Sequence, residues 1–254
     1  MMPRFISNQI KGFSLIEVLL SIALLSVVIA LIYNAFSQVS DSTKKVTESL
    51  ESGQELRLLM KIVLDDLRSV QYMENLVVHN NPGSDGPYFH SGIVSERSPG
   101  PDNSQLNSIH FHTAIPTRFF PEAIALNKDP ELHEVGYTLE FNSFEEKWIF
   151  KRREDFYVDD DMLAGGKEQT LSESVVQFEL EFLEQNILEA DSSELQEVWV
   201  NEWDSLENNC STLSKQASTP CLPLAIRLTM SLQKKGEGKV TDTLEVNLPV
   251  SLQQ

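Results

Sequence analysis

The hydrophobic and polar positions follow a helical pattern over the N-terminal part of the chain. Residues 13–36 form one apolar run that contains a single charge, on Glu17. Further on, apolar residues recur every three or four positions, which is the spacing of one buried helix face. These residues are Leu56, Leu59, Val63, Leu67 and Val70. Since no proline interrupts this stretch, the pattern predicts one helix from Phe13 to about Met73, with Gly53 as its weakest point.

The rest of the chain has the period-two alternation of β-strands. Residues 80–105 are rich in Pro, Gly, Ser and Asn, which predicts a loop with one short strand. Strands are predicted in later runs, and residues 142–146 form the turn of a hairpin. The runs are 108–114, 134–141, 147–151, 174–183, 198–203, 225–232 and 244–250. The predicted fold class is therefore α+β, with one long N-terminal helix followed by a mainly antiparallel sheet.

Charge is distributed unevenly along the 254 residues. The formal net charge of -18 argues against binding nucleic acid or an anionic lipid surface by bulk electrostatics, because both are polyanions. The first 12 residues contain Arg4 and Lys11 and no acids, which leaves 18 basic and 38 acidic residues in the remainder. Because basic residues beside a membrane segment stay in the cytoplasm, the acidic remainder is expected on the other side.

The apolar run at residues 13–36 has three interpretations: a secretory signal peptide, a membrane anchor or a buried core helix. As a helix it would be about 36 Å long, enough to cross a hydrocarbon core of roughly 30 Å. It is too long for a signal peptide, and residues 34–36 lack the Ala-x-Ala pattern of a cleavage site. An N-terminal position beside basic residues favours the anchor. Glu17 is then unusual, since a charge at the centre of a membrane helix costs roughly 2.5–3.5 kcal/mol and is usually functional.

The segment Gly12-Phe13-Ser14-Leu15-Ile16-Glu17 resembles the processing site of type IV prepilins and pseudopilins. In that family, a prepilin peptidase removes a short basic leader after a glycine, on the cytoplasmic side, and the new N-terminus is methylated. The resemblance implies cleavage after Gly12, N-methylation of Phe13 and an assembly role for Glu17, the fifth residue of the mature chain. Glycine suits the cleavage position because it has no Cβ and is flexible.

The resemblance also offers a partner for the carboxylate of Glu17. Cleavage frees the α-amino group of Phe13, and a carboxylate four residues further along a helix faces the same side about one turn away. In the family, this glutamate pairs with the N-terminal amine of a neighbouring subunit, and an opposite charge makes a buried charge tolerable. The alternative is a glutamate that reaches the membrane interface without an assembly role.

The resemblance divides the chain into a leader at 1–12, the transmembrane half of the helix at 13–36 and a periplasmic domain at 37–254, anchored in the bacterial inner membrane. Looser similarities favour the J-type minor pseudopilin of type II secretion. They lie at residues 136–139, 197–203 with Trp199 and Trp203, 222–228, 248–249 and a turn at 152–154. In the family this subtype sits at the tip of a periplasmic filament that supports export of folded proteins. Expected partners are prepilin peptidase, I- and K-type minor pseudopilins and the major pseudopilin.

Two other functions are compatible with the sequence. A minor pilin of a type IV pilus or competence filament would share the N-terminal segment. A membrane-anchored periplasmic enzyme or binding protein with a pilin-like start would instead require a deep polar pocket with clustered His and acidic side chains. Residue spacing assigns no catalytic Ser-His-Asp or paired-carboxylate constellation, no Gly-rich phosphate loop and no cofactor site. We therefore expect a non-enzymatic protein.

Cys210 and Cys221 are the two cysteines, separated by ten residues. Outside the cytoplasm they are expected to form a disulfide. Closing a loop of this size would stabilise the fold by about 3 kcal/mol in the chain-entropy description. Two free thiols or a metal site are the alternatives, although a zinc site would require more ligands nearby.

His110 and His112 would project two imidazoles from one face of a strand, an arrangement able to bind a metal ion. Because no third ligand is evident, we interpret them as histidines of a polar face. Asp159, Asp160 and Asp161 lack the spaced pattern of a calcium loop and predict a solvated acidic turn. No metal site is therefore predicted.

Overall fold

The structure of the chain, a computed structural model, contains two compact units, Met1–Ser49 and Leu50–Gln254. The residues that the structure describes are 13–72, 76–77, 88–89, 92–99, 105–118, 132–156, 158, 161–187, 195–205, 222–234 and 238–248. In the first unit the described residues are helical from Leu15 onward. The second unit contains the end of the helix and the described β-strands.

Helix α1 spans Leu15–Arg68 and confirms the predicted long N-terminal helix, with Gly53 inside it. The helix stops before the predicted Met73 because strand-type pairing replaces its hydrogen bonds. The N–H of Ala114 donates to the carbonyl of Ser69 at 3.1 Å, and the next residue, Val70, forms an isolated β-bridge. Val70 therefore keeps the apolar spacing of the helix although it lies outside it.

Among the described residues, twelve strands follow the helix, and every pairing between them is antiparallel. They are β1 (Leu76–Val77), β2 (Tyr88–Phe89), β3 (Ile93–Pro99), β4 (Gln105–Thr113), β5 (His133–Asn142), β6 (Lys147–Asp155), β7 (Lys167–Ser172), β8 (Val175–Ile187), β9 (Leu195–Val200), β10 (Trp203–Asp204), β11 (Ala225–Gln233) and β12 (Lys239–Asn247). A six-stranded sheet has the order β10-β3-β4-β5-β6-β7, and a four-stranded sheet has the order β12-β11-β8-β9. Strands β1 and β2 pair with each other. The α+β fold class is confirmed.

Several details of the predicted strands are wrong. The predicted strand at 244–250 begins earlier, at Lys239, and ends at Asn247 as β12. Strand β7 was not predicted, because its first four residues, KEQT, are polar and exposed at the edge of the sheet. The predicted strand at 198–203 is divided between β9 and β10, which belong to different sheets. Residues 152–154 lie within strand β6 instead of forming a turn.

The hydrophobic core of the second unit combines one face of α1 with side chains from both sheets. The helix contributes Leu56, Leu59, Met60, Val63, Leu64 and Leu67. The two sheets meet where the rings of Phe150 and Phe178 lie 5.0 Å apart between centroids. Each large apolar side chain that is buried in this way stabilises the fold by about 1.5–3 kcal/mol.

A buried polar network joins the last turns of α1 to the six-stranded sheet. Asp66 lies on the buried face of the helix, where its carboxylate accepts hydrogen bonds from Tyr137 Oη at 2.6 Å and from Arg152 Nε and Arg118 Nη2, both at 2.8 Å. Glu154 accepts further bonds from the Arg152 guanidinium and from the backbone N–H of Arg118. Two carboxylates therefore face two guanidinium groups, which is the condition for burying charge without a large penalty.

The network changes how its members titrate. Burial, followed by the nearby Asp66 carboxylate, raises the pKa of Tyr137 well above its ordinary value. Burial works to raise the pKa of Glu154 as well, but hydrogen bonds from Arg152 and Thr117 outweigh it and lower that pKa. Tyr137 thus stays a neutral donor, while Glu154 stays charged beside Arg152.

Candidate functional site

The residues that begin α1 position the predicted assembly group. Ser14 precedes the helix, and its carbonyl accepts the N–H of Glu17 at 3.0 Å and of Val18 at 3.3 Å. Glu17 is the third residue of the helix, in its first turn, where the positive end of the helix dipole favours a carboxylate. Gly12, the predicted cleavage position, lies outside the described residues.

The apolar side chains around Glu17 are uncovered. Leu15, Leu19 and Leu31 are all exposed, as are the other large apolar residues from Phe13 to Phe36. The helix is long and apolar enough to cross a membrane, by length and composition, and none of its most apolar 18-residue window is buried within the chain. A core helix of a soluble protein would be mostly buried, so this surface requires lipid or another subunit to cover it.

Polar groups in the same stretch differ in how they are satisfied. Ser21 Oγ donates to the carbonyl of Glu17 at 2.7 Å, and Ser26 Oγ donates to the carbonyl of Ala23 at 2.7 Å. The carboxylate of Glu17 has no ion-pair partner among the residues that the structure describes. The serine hydroxyls are hydrogen-bonded within the helix, whereas the Glu17 carboxylate is not paired there. Glu17 is therefore the polar group of this stretch that needs a partner from another molecule.

The comparison with protein families gives one match to this region. Residues 7–33 match the prokaryotic N-terminal methylation motif. The search of curated proteins found no match for this chain. The motif together with the α+β fold supports a type IV pilin-like family, either pilin or pseudopilin. Such a motif implies processing by prepilin peptidase and assembly with other pilins, and it suggests a structural, non-enzymatic protein. The apolar helix and the motif are also consistent with a single-pass anchor in the inner membrane.

The sequence predicted that the two histidines of β4 lie on a polar face of the strand. In the structure they are not exposed there. His110 and His112 are both buried. The segment at 161–166 folds back toward them, because the Arg153 guanidinium donates to the carbonyls of Met162 and Ala164. Burial, and then the positive charge of Arg153, lowers the pKa of His110 to about 4. His110 is therefore a buried, neutral histidine at physiological pH.

Several predicted sites cannot be placed on the structure. Cys210 and Cys221 lie outside the described residues, as do Asp159 and Asp160, so the disulfide stays a prediction. Asp161 is exposed, and its carboxylate accepts the N–H of Leu163 at 3.2 Å. Within the described part of the chain, no group of three His, Cys, Asp or Glu residues could hold a metal ion.

A polar cavity of about 590 Å³ lies on the outer face of the six-stranded sheet, next to His110. Lys151 crosses it, with its Nζ 2.8 Å from Glu140 and 3.3 Å from Glu168. The His110 ring lies so close to Gly136 that a Cβ there would be 2.6 Å from Nδ1. These charged groups therefore bond to one another across neighbouring strands, and they do not converge on a reacting atom as catalytic groups would.

Sequence reasoning missed Asp66, although its position carried a signal. Asp66 follows Val63 by three residues and precedes Val70 by four, so it occupies the apolar face of the helix. A carboxylate on such a face requires a buried cation, and Arg152 supplies it. The N-terminal methylation motif at residues 7–33, by contrast, was visible in the sequence because it is a contiguous stretch of the chain.

Proposed function

We propose that this protein is a minor pseudopilin at the tip of the type II secretion pseudopilus, where it supports export of folded proteins across the outer membrane. The observation that carries the proposal is the methylation motif at residues 7–33, which covers most of the uncovered apolar run at residues 13–36. In this proposal, residues 13–36 stay in the inner membrane and the β-rich part lies in the periplasm.

Assembly uses a charge created by processing. Prepilin peptidase cuts after Gly12, the new N-terminus of Phe13 is methylated, and its amine remains positively charged. The Glu17 carboxylate of one subunit pairs with the N-terminal amine of its neighbour. Inside lipid, where water screens little, two opposite charges attract strongly and an unmatched one is costly. The pair therefore fixes the register of neighbouring helices.

The tip position is supported by the size and sequence of the folded part. The second compact unit, Leu50–Gln254, contains a six-stranded and a four-stranded sheet, and major pilins are typically shorter. The similarities to J-type pseudopilins lie at residues 136–139 in β5, at 197–203 across β9 and β10, at 222–228 around the start of β11 and at 248–249. The proposed partners are the I- and K-type minor pseudopilins and the major pseudopilin.

Co-purification of the full-length chain tests the proposal. The chain is expressed in membranes together with I- and K-type subunits, solubilised in mild detergent and purified through a C-terminal tag. We expect a stable complex with wild type and a much weaker one with Glu17→Ala. Asp41→Asn, which removes a charge from the same helix beyond the apolar run, is the matched control and should behave as wild type. A wild-type chain that purifies alone would contradict the proposal.

The same experiment separates this role from that of a minor pilin in a type IV pilus or competence filament. Both roles require the motif at residues 7–33, so the motif does not distinguish them. A complex with pilus subunits in preference to the I- and K-type subunits would favour the second role.

A further inference from the structure

The turn between β5 and β6 presents a phenylalanine almost entirely to solvent. Phe144 is 98% exposed, whereas the next most exposed large apolar residues of the described chain after the end of α1 are Leu163 at 42%, Leu244 at 40% and Val198 at 38%. Single half-exposed apolar residues are ordinary on protein surfaces. Aromatic residues dominate the hot spots of protein interfaces, so a ring presented this completely on a hairpin is a candidate contact for a partner protein.

The turn that carries Phe144 is held in one conformation. The side-chain oxygen of Asn142 accepts the backbone N–H of Phe144 at 3.0 Å and of Glu145 at 3.2 Å. Glu146 adopts a left-handed conformation with φ of 51°, and Asn142 pairs with Lys147 across the hairpin. Because the backbone is already ordered, a partner that binds the ring would lose little conformational entropy in the turn.

Two further aromatic residues lie at the base of the hairpin. Phe141 and Trp148 are directly opposite each other on the two strands, and their rings meet edge to face with centroids 5.1 Å apart. Trp148 also packs against the hydrophobic core. We call Phe141, Phe144 and Trp148 the aromatic tip. Its base is anchored in the fold while its end is free to enter a pocket.

The charges beside the aromatic tip distinguish between possible partners. Glu145 and Glu146 directly follow Phe144 in the turn, and both are exposed. Lys147 is paired with Glu173 at 3.3 Å, so it does not offset them. An acidic rim is repelled by an anionic phospholipid surface. It complements a protein pocket with an apolar floor and lysine or arginine at its edge, which is the usual setting of an aromatic hot spot.

We propose that the aromatic tip docks into an apolar, basic-rimmed pocket of a neighbouring pilin-like subunit. This inference rests on the proposed function for the identity of the partner. Phe144 fills the pocket, while Glu145 and Glu146 face the basic residues at its edge. The tip thus adds a contact between folded domains to the one that Glu17 makes between helices.

The first test uses the full-length chain co-purified with I- and K-type subunits in detergent. Phe144→Ala should weaken the complex by about 10- to 30-fold, the effect of removing an aromatic hot spot. Phe144→Trp should retain binding, and Leu163→Ala is the matched control for a merely exposed apolar residue. The Tm of the isolated chain should not change in Phe144→Ala, because the exposed ring has no packing to lose. An unchanged affinity would overturn the inference.

A second test identifies what the ring touches. A photo-crosslinking residue, p-benzoylphenylalanine, replaces Phe144 in the full-length chain in host membranes, and the adduct is identified by mass spectrometry. A covalent adduct with a pilin-like subunit supports the inference, whereas an adduct with phospholipid only, or none, overturns it.

If wild type forms no complex with pilin-like subunits, the proposed function fails as well. If wild type forms the complex and Phe144→Ala forms it equally, only the docking inference fails.

Discussion

Asp66 and Arg152 form an ion pair that is sealed from water, with Arg152 Nε 2.8 Å from Asp66 Oδ2 and side-chain exposures of 0% and 1%. Asp66 belongs to the last turns of α1, and Arg152 belongs to strand β6. The pair therefore links the end of the helix to the six-stranded sheet, at the strand next to edge strand β7. Tyr137 completes the contact by donating to the same carboxylate oxygen.

Removing one charge of this pair should strongly lower the free energy of unfolding. Asp66→Asn leaves Arg152 buried without its full counter-charge, and breaking a buried pair typically costs about 3–5 kcal/mol. The measurement is the free energy of unfolding of the full chain in detergent, from urea titration. Asp65→Asn is the control, because Asp65 is partly exposed and its pair with Arg68 at 3.4 Å lies at the surface. Equal losses in the two variants would show that the buried pair is not important.

The titration of His110 should make stability fall in mild acid. Burial and the charge of Arg153 lower its pKa from 6.5 to about 4. Between these two values the unfolded chain takes up a proton and the folded chain does not, so the free energy of unfolding decreases as the pH falls from 6.5 to about 4. The loss attributable to this group is on the order of 3 kcal/mol.

The variant His110→Gln isolates that contribution. It removes the titrating ring and keeps a polar side chain of moderate size, while the nearby Asp161 and Arg153 are unchanged. Urea titrations at a series of pH values should show a shallower dependence between pH 6.5 and 4 than in wild type. The same slope in both proteins would mean that His110 is protonated in the folded state.

The sequence predicted α1 and most strands because periodicity is a local property that survives without tertiary information. Strand β7 was missed, since an edge strand with exposed polar side chains shows no alternation. The division of 198–203 between β9 and β10 also depends on which sheet each part joins. Such choices are made by long-range pairing, so a local pattern does not contain them.

The N-terminal methylation motif could be predicted for a different reason. It is a contiguous stretch at residues 7–33, so its signal is linear in sequence. The burial of His110 could be found only from the structure, because the segment near Ala164 that folds toward it is distant in sequence. The exposure of Phe144 could also be found only from the structure, since a turn residue has no periodic position that would reveal it.

Two glycines should respond in opposite ways to alanine. At Gly136, a Cβ would lie 2.6 Å from His110 Nδ1 in a packed sheet, so Gly136→Ala should destabilise by about 1–3 kcal/mol. At Gly53, nothing lies within 4 Å of the added atom, and α1 continues through the residue. Gly53→Ala should therefore stabilise by about 1 kcal/mol through helix propensity. Urea titration measures both, and a loss of stability in Gly53→Ala would contradict the uninterrupted helix.

Replacing Gly12 should block processing of the leader. A peptidase that cuts beside the membrane requires a slim, flexible residue before the bond, and leucine adds a branched side chain at that position. In an immunoblot of the native host, we expect Gly12→Leu to accumulate only the longer precursor. Gln9→Leu, which places the same side chain elsewhere in the leader, should still give the mature band. A mature band of normal intensity in Gly12→Leu, or a wild-type protein whose N-terminal sequence begins at the first methionine, would contradict cleavage at this position. Without that cleavage, the amine that Glu17 is proposed to pair with would not exist.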